Sequence, residues 1–396
     1  MNTFEAELQQ RLAGLREQHL FRELRRVDSA QGPHIQIDGK TLLNFSSNDY
    51  LGLANHPAQK EAAIKAVEKY GAGAGASRLI CGSLAPFNEL EETLAHFKKA
   101  EAALTFSTGF AAAIGAITAL CGKDDIIILD KLVHASIVDA AKLSGAKLRI
   151  FGHNDLEDLE DKLKWATTTA RHASPVTRHV VVITESVFSM DGDCAPLREI
   201  VSLKDKYGVW LMVDEAHASG IIGQNGRGLA DELGVSNHIE IQMGTLGKAL
   251  GASGGYICGS RALVDFLVNR ARSFIFSTAP VPAAAAAATA GIQIVQSAEG
   301  ENLRSALHRR IAELKSKIGN PEPAISSAIV PLMIGDESVA VAVAAELRAR
   351  NIFVPAIRYP TVARGAARLR VTLTAAHTEA DVLELVSALT RLKILS

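Results

Sequence analysis

Cysteine is scarce: Cys81, Cys121, Cys194 and Cys258 are the only four in 396 residues, and no two stand at a metal-ligand spacing. No metal site is expected, and the thiols read as reduced and mostly buried, as in a cytosolic protein. An excess of one charge is missing as well. Lys and Arg number 42 against 43 Asp and Glu, a formal net charge of -1, so nothing suggests a nucleic-acid stripe or a polybasic membrane anchor. Long apolar runs are also lacking. Met1 to Val27 is charged and mostly polar with no apolar centre, so no secretory leader is expected and the cytoplasm is the expected location. The longest run of small residues, Ala279 to Ile294, contains Pro280, Pro282, Thr289 and Gln293 and is dominated by Ala, the texture of a packed helix rather than a membrane span. A dinucleotide fingerprint is missing too: Gly71-Ala72-Gly73-Ala74-Gly75-Ala76 follows the helical segment Ala58 to Tyr70 rather than a strand, and it lacks the third glycine at the required offset. It reads as a loop that lets backbone come close to a ligand or a partner subunit.

What is present is a large apolar complement, 48% of the residues, enough for one large domain and one or two smaller ones. An amphipathic helix is expected over Phe4 to Arg26, with Leu8, Leu12, Leu15 and Leu24. From Asn44 onward apolar strands alternate with helices: Ile126 to Leu129, Leu148 to Phe151, His179 to Thr184, Val209 to Val213, Ile239 to Met243 and Gly255 to Cys258. That alternation predicts an α/β fold whose mainly parallel central sheet is covered by helices on both sides. After a helical stretch from Val281 to Ile318, Asn320-Pro321-Glu322-Pro323 marks a turn or linker. Beyond it, Ile329 to Ile334, Val339 to Arg350, Leu369 to Thr374 and Glu379 to Leu392 predict a smaller C-terminal α+β domain. The expected organisation is a helical arm with short strands over 1–50, a large α/β domain over 51–290 and the small domain over 291–396.

The chemistry concentrates at two strand ends. Val209-Trp210-Leu211-Met212-Val213 is continuously apolar, as a strand covered on both faces must be, and its carboxyl end presents Asp214-Glu215-Ala216-His217. A second strand leads to Gly244-Thr245-Leu246-Gly247-Lys248-Ala249. A carboxylate fixed at Asp214 can keep a pyridine nitrogen protonated, and an amine at Lys248 can join an aldehyde, which together suit pyridoxal phosphate. Taken singly, a strand-end Asp is ordinarily a cap and a loop Lys is ordinarily solvated; the conjunction carries the reading. Ser107-Thr108-Gly109-Phe110 precedes the Ala-rich helical run Ala111 to Leu120, so hydroxyls and free backbone N–H groups meet at a helix N-terminus, where a phosphate is favoured. Plain capping by Ser107 or Thr108 is the simpler alternative.

Several further segments carry a family resemblance over nearly the whole chain. They are Asn44-Phe45-Ser46-Ser47-Asn48-Asp49-Tyr50-Leu51-Gly52-Leu53, Thr184 to Asp193, Ser273 to Thr278 and Ala367 to His377. With the Asp214 and Lys248 motifs, they resemble the α-oxoamine synthases among the fold-type I, aspartate aminotransferase-like pyridoxal phosphate transferases. The resemblance implies that Lys248 joins the cofactor aldehyde, that Asp214 pairs with its ring nitrogen and that His134 stacks on its face. It implies contacts to the phenolic oxygen from Ser189 and His217, a place for Glu185 at the cofactor, and a phosphate held by Ser107, Thr108, Gly109, Phe110 and Thr245. Ser277 and Thr278 resemble the pair that reaches a neighbouring subunit's phosphate, implying a homodimer with a shared active site.

On the substrate side, Arg370 matches the carboxylate-binding position, and Arg22, Asn48, His134, Arg358 and Thr361 resemble positions that contact substrate. Arg368, on the same presumed strand as Arg370, is expected to face the other way and to be structural. The implied reaction is a decarboxylative condensation of L-alanine with a pimeloyl thioester, carried on coenzyme A or a carrier protein, which makes 8-amino-7-oxononanoate for biotin. Ala356-Ile357-Arg358-Tyr359-Pro360-Thr361-Val362 favours that branch. A glycine C-acetyltransferase or another α-oxoamine synthase is the nearest rival, and a noncatalytic partner subunit is the alternative from another class. Two departures stand out: Phe87 replaces a common His, and Ala363-Arg364-Gly365 replaces a turn that usually contains Val-Pro.

Overall fold

The computed structural model describes residues 3–171, 179–319, 325 and 327–394; the Asn320 to Pro323 turn therefore lies outside the described residues. Two compact units form. One comprises Asn48–Ser189 and Asp193–Ala306, the other Met1–Ser47, Met190–Gly192 and Leu307–Ser396.

The larger unit is built on a seven-stranded sheet. Its strands run in the order Ala102–Phe106, Gly255–Gly259, Ile241–Thr245, Trp210–Asp214, Val180–Glu185, Ile126–Asp130, Lys147–Phe151. From Ile241–Thr245 to Lys147–Phe151 every pairing is parallel; Gly255–Gly259 alone runs antiparallel to both neighbours. Ile126–Asp130 and Val180–Glu185 are buried at every position, which is why their sequences are unbroken apolar runs rather than alternating ones. Each Val or Ile removed from water there contributes about 1.5–3 kcal/mol. On one face Ala112, Ala113, Ala116, Ala140 and Ala141, from the helices Gly109–Leu120 and Ala135–Ser144, share a core with Ile127, Ile183 and Met212. Small side chains let those helices lie close to the sheet.

Three expectations need revision. Ala102–Phe106 is a strand that the sequence reading missed, because Ala-Ala-Leu-Thr-Phe lacks the Val and Ile run that identified the others. The first helix is Thr3–Glu17 rather than Phe4 to Arg26. His19 takes a left-handed conformation (φ 55°) and the Leu20 N–H turns back to the Leu15 carbonyl at 2.8 Å, the bond pattern that closes a helix. Finally, the helical stretch from Val281 divides into Pro282–Val295 and Ala298–Lys317. The Ser297 hydroxyl donates to the Ile294 carbonyl at 2.7 Å in the break.

The smaller unit holds two three-stranded sheets. The hairpin His34–Ile37 with Lys40–Asn44 gains Ile352–Phe353 as a parallel third strand, which is how the N-terminal segment joins the C-terminal one. Ile329–Gly335, Ala367–Thr372 and Ala356–Ile357 form the other, with antiparallel pairing throughout. His377 is buried between them: its Nε2–H donates to the Asn44 carbonyl at 3.0 Å, its Nδ1 accepts from Thr374 N at 2.9 Å, and its ring stacks on Phe45. Burial lowers its pKa to about 4, so it stays neutral and structural. Among the described residues no helix is long and apolar enough to cross a membrane, and no group of three or more His, Cys, Asp or Glu is arranged to hold a metal ion.

Candidate active site

The carboxyl ends of the parallel strands converge, as they do in open α/β sheets. Trp210–Asp214 delivers Asp214 and then His217, Val180–Glu185 delivers Glu185, and Ile126–Asp130 leads to His134. Ile241–Thr245 delivers Thr245 and, three residues on, Lys248. Together with Gly109, Phe110, Ser136, Ala216 and Met243 they line a cavity of about 160 Å³. A larger cavity of about 690 Å³ lies at the opposite ends of the strands, lined by His179, Trp210, Glu240 and Phe266 among others, and contains none of the candidate site residues.

Lys248 Nζ lies 2.6 Å from His217 Nε2, and His217 Nδ1 lies 2.5 Å from the Tyr50 hydroxyl, which donates to Asn48 Oδ1 at 3.2 Å. One direction of donation satisfies all three contacts. The Tyr50 proton is directed to Asn48, so the Tyr50 oxygen accepts from His217 Nδ1–H, leaving Nε2 to accept from the lysine. The imidazole is thereby held neutral in one tautomer. Tyr50 escaped the sequence reading although it sits in the Asn48-Asp49-Tyr50 motif; 167 residues separate it from His217, and no local pattern reports such a contact. Replacing Tyr50 by Phe removes the hydroxyl that accepts the His217 Nδ1–H, and is expected to cost roughly 1–3 kcal/mol of stability. Urea unfolding of the variant checks this, and an unchanged midpoint would count against the assigned tautomer.

Burial raises the pKa of Asp214, against the opposing charge of Lys248 and a hydrogen bond from the Ala216 N–H (2.9 Å to Oδ1). Glu185 is raised well above the usual carboxylate range, first by burial and then by the charge of Asp214. Its carboxylate accepts the backbone N–H groups of His134 and Ser189, while Oε1 is buried with no partner. His134 is open to solvent on one side, yet the surrounding protein lowers its pKa, an effect partly opposed by Asp214. A neutral ring results, with Nδ1 beside the Ser136 hydroxyl at 2.8 Å.

These groups fit pyridoxal phosphate. Two buried carboxylates, one with an unpartnered oxygen, call for a cationic or donating ring; Lys248 offers an amine for the aldehyde; and Gly109 and Phe110 open a helix of 12 residues whose N-terminus favours a phosphate. Gly255, on the adjacent strand, allows that N-terminus to come close, since a Cβ there would meet the Thr108 carbonyl oxygen at 2.5 Å and Gly109 N at 2.6 Å.

The remaining expected residues fall outside the cavity lining. Thr108 caps the helix, its hydroxyl accepting from Ala111 N at 3.0 Å, so plain capping accounts for at least that contact; Ser107 is exposed beside it. Ser189 is buried in the larger unit. Thr278 makes an antiparallel bridge with Ser77, and Ser277 precedes it half-buried. Phe87 is buried with the Arg78 guanidinium over its ring at 4.8 Å, and Arg78 forms a two-pronged pair with Glu91. Here the departure from His serves packing.

The substrate-side candidates other than Asn48 and His134 belong to the smaller unit. Arg358 donates to the backbone carbonyls of His19 (2.6 Å) and Phe21 (2.9 Å). Its pKa is lowered by burial and by the charge of Arg22, so these two cations are neighbours. The Thr361 N–H donates to the Arg358 carbonyl at 3.0 Å, closing the turn between them. Arg370 is buried on Ala367–Thr372, with Nη1 donating to the Thr372 hydroxyl at 3.0 Å.

Arg368 does not face away from Arg370. The ladder is regular from Arg368 to Thr372, and residues two apart on a strand share a face. The distinction lies in their partners: Arg368 is paired with Asp191 and donates to the Met190 and Ala366 carbonyls, which makes it structural as expected.

Comparison with known proteins agrees with this geometry. The family described as aminotransferase class I and II matches residues 40–389. The chain is 45% identical over 389 residues to an 8-amino-7-oxononanoate synthase of Geobacter sulfurreducens, covering 98% of this chain and 96% of that one. Among solved structures, a serine palmitoyltransferase from S. paucimobilis, bound to an adduct of pyridoxal phosphate and myriocin, superposes with a TM-score of 0.89 at 28% identity over 98% of both chains. The 8-amino-7-oxononanoate synthase from Francisella tularensis superposes with a TM-score of 0.73 at 28% identity over 89% of this chain and 99% of that one.

Proposed function

The chain belongs to the 8-amino-7-oxononanoate synthases, pyridoxal phosphate-dependent acyltransferases of biotin synthesis, and from that premise we propose that it condenses L-alanine with a pimeloyl thioester. The products are 8-amino-7-oxononanoate, CO2 and the free thiol. The observation that carries the reading is Lys248 in one cavity with Asp214 and Glu185, its amine 2.6 Å from His217.

Pyridoxal phosphate, when bound, supplies an electron sink for charge at the amino-acid Cα. Lys248 Nζ would join its aldehyde and, as a free amine, would take the Cα proton of the amino acid. His217 Nε2 orients that amine, with its tautomer set through Tyr50 and Asn48. Asp214 would keep the ring nitrogen protonated, His134 would cover the ring face, and Ser189 would join His217 at the phenolic oxygen. Ser107, Thr108, Gly109, Phe110 and Thr245 receive the phosphate.

Arg370 takes the amino-acid carboxylate, as a guanidinium does bidentately. Arg22 and Arg358, two adjacent cations with Thr361 beside them, suit the far carboxylate of a pimeloyl chain, which an acetyl group lacks. Ser277 and Thr278 serve the phosphate of a second copy. Exposed Ile80, Phe110 and Phe276 give a homodimer an apolar surface to cover. The protein acts in the cytoplasm.

The test is a panel of amino acids and acyl thioesters with thiol release and product mass as readouts. Alanine with a pimeloyl thioester is expected to react best, and the Arg358→Ala variant is expected to raise KM for that thioester about tenfold to a hundredfold, from loss of hydrogen bonds to a charged group. A thioester without a terminal carboxylate should respond little. Reaction with glycine and acetyl thioester alone would replace the substrate assignment and leave the reaction class standing.

A further inference from the structure

His153 follows the Lys147–Phe151 strand and stands outside the cavity, yet both of its ring nitrogens are engaged by carboxylates. Nδ1 donates to Asp130 Oδ1 at 3.0 Å and Nε2 donates to Asp193 Oδ2 at 2.7 Å. Donating at both positions requires the imidazolium, since a neutral ring would turn a lone pair toward one of the carboxylates. The ring also meets Phe188 edge-on, with centroids 4.3 Å apart.

The two carboxylates anchor particular segments. Asp130 is buried at the carboxyl end of its strand, four residues before His134; Oδ1 also accepts Leu132 N at 2.8 Å and Oδ2 accepts Asn154 N at 2.9 Å. Asp193 lies four residues after Ser189, and its carbonyl accepts the Phe188 N–H at 3.0 Å. Asn154, next to His153, donates to the same Asp193 Oδ2 at 3.0 Å and to the Cys194 carbonyl at 3.3 Å. On the cavity side, the same two segments meet again at Glu185, which accepts the N–H groups of His134 and Ser189.

We propose that His153 is a positioning residue, a cationic tie that fixes the segment carrying His134 against the segment carrying Ser189. The proposal rests on the reading that those two residues contact the cofactor. Burial alone would depress the His153 pKa, but the hydrogen bonds and charges of Asp130 and Asp193 outweigh it and raise it to about 10. The tie is therefore charged throughout the neutral range, complete below the ordinary histidine value near 6.5 and lost as pH rises through about 10. Asp130 and Asp193 are the carboxylates that meet the ring.

The test uses the full-length protein with and without pyridoxal phosphate, comparing wild type, His153→Gln and Asp193→Asn. In the cofactor-free protein, hydrogen exchange of 131–136 and of 186–194 should rise together in His153→Gln while the central strands stay protected. In the loaded enzyme the visible dichroism of the cofactor should change and kcat should fall roughly tenfold or more, as misplacement of contacting groups demands. Asp193→Asn keeps the shape but removes one carboxylate, so the alkaline limb of the dichroism profile should move to lower pH than in wild type. Unchanged exchange and unchanged dichroism in His153→Gln overturn the proposal; if that variant does not fold, an unmoved alkaline limb in Asp193→Asn overturns it. Failure of the cofactor reading shows separately, as wild-type protein that acquires no visible band with pyridoxal phosphate.

Discussion

Lys248→Ala is expected to lower turnover about ten-thousandfold or more, because the proposed role of one amine combines covalent attachment with proton abstraction. His217 Nε2 is a base 2.6 Å away, but its ring is pinned through Nδ1 to Tyr50, so it cannot swing to where the lysine acts. Asp214 and Glu185 are both raised by burial, and the lysine charge is one of the effects that opposes the rise. Without it they become weaker acids still, and the cavity holds pyridoxal phosphate less firmly. Stability should change little, since the side chain is only half-buried and the Gly251 N–H to Lys248 carbonyl bond is made by backbone. Product mass, a thermal melt and borohydride reduction of the wild type followed by peptide mapping decide the matter. Label on any other lysine, or substantial turnover by the alanine variant, sinks the assignment.

The parts of this molecule that could be read from sequence are those with a local cause. Ile126–Asp130 and Trp210–Asp214 announce themselves because a strand covered on both faces must be apolar at consecutive positions. Asp214 and Lys248 then follow, since they stand just beyond such runs, where parallel strands present their functional groups. Contacts made across the chain leave no such trace. Tyr50 reaches His217 over 167 residues, and His153 reaches Asp193 over 40; each looks like an isolated polar residue until the fold is built. Local signals also mislead where a backbone exception intervenes. The Leu periodicity after Phe4 continues past the true helix end, which is set by the left-handed turn at His19. The orientation of Arg368 was a different kind of error, for a period of two puts it beside Arg370. Only the Asp191 pair and the backbone acceptors around it show why the two arginines differ.

Lys98→Met is expected to destabilise the larger unit by about 3–5 kcal/mol, the cost of leaving one member of a buried ion pair alone. Lys98 and Glu215 are almost wholly buried and paired, and the ammonium also donates to the Arg227 carbonyl. Burial by itself would depress the Lys98 pKa, but the charge of Glu215 and its hydrogen bond, together with Tyr256 and Cys258, outweigh it and the lysine is raised. Its contribution is therefore complete below the ordinary lysine value of about 10.4 and is lost only above that, so the penalty should be constant from neutral to mildly alkaline pH.

Glu215 does more than meet the lysine. Its Oε1 accepts Ala230 N at 2.9 Å, and its backbone N–H donates to the Met243 carbonyl at 2.8 Å. Gly228 must be glycine to pass it, having φ +121° and leaving only 2.3 Å between a Cβ and Oε2. The pair thus holds the turn from Asp214 to His217 in place. Glu215→Gln keeps an acceptor for Ala230 while removing the charge, so the Lys98→Met, Glu215→Gln double variant should lie nearer to wild type than Lys98→Met does. Both tryptophans, Trp165 and Trp210, fall in the larger unit, and urea unfolding followed by their fluorescence reads that unit directly. If the midpoint of Lys98→Met stays at the wild-type value, the ion pair does not anchor the turn, and the position of His217 must depend on Tyr50 and the strand alone.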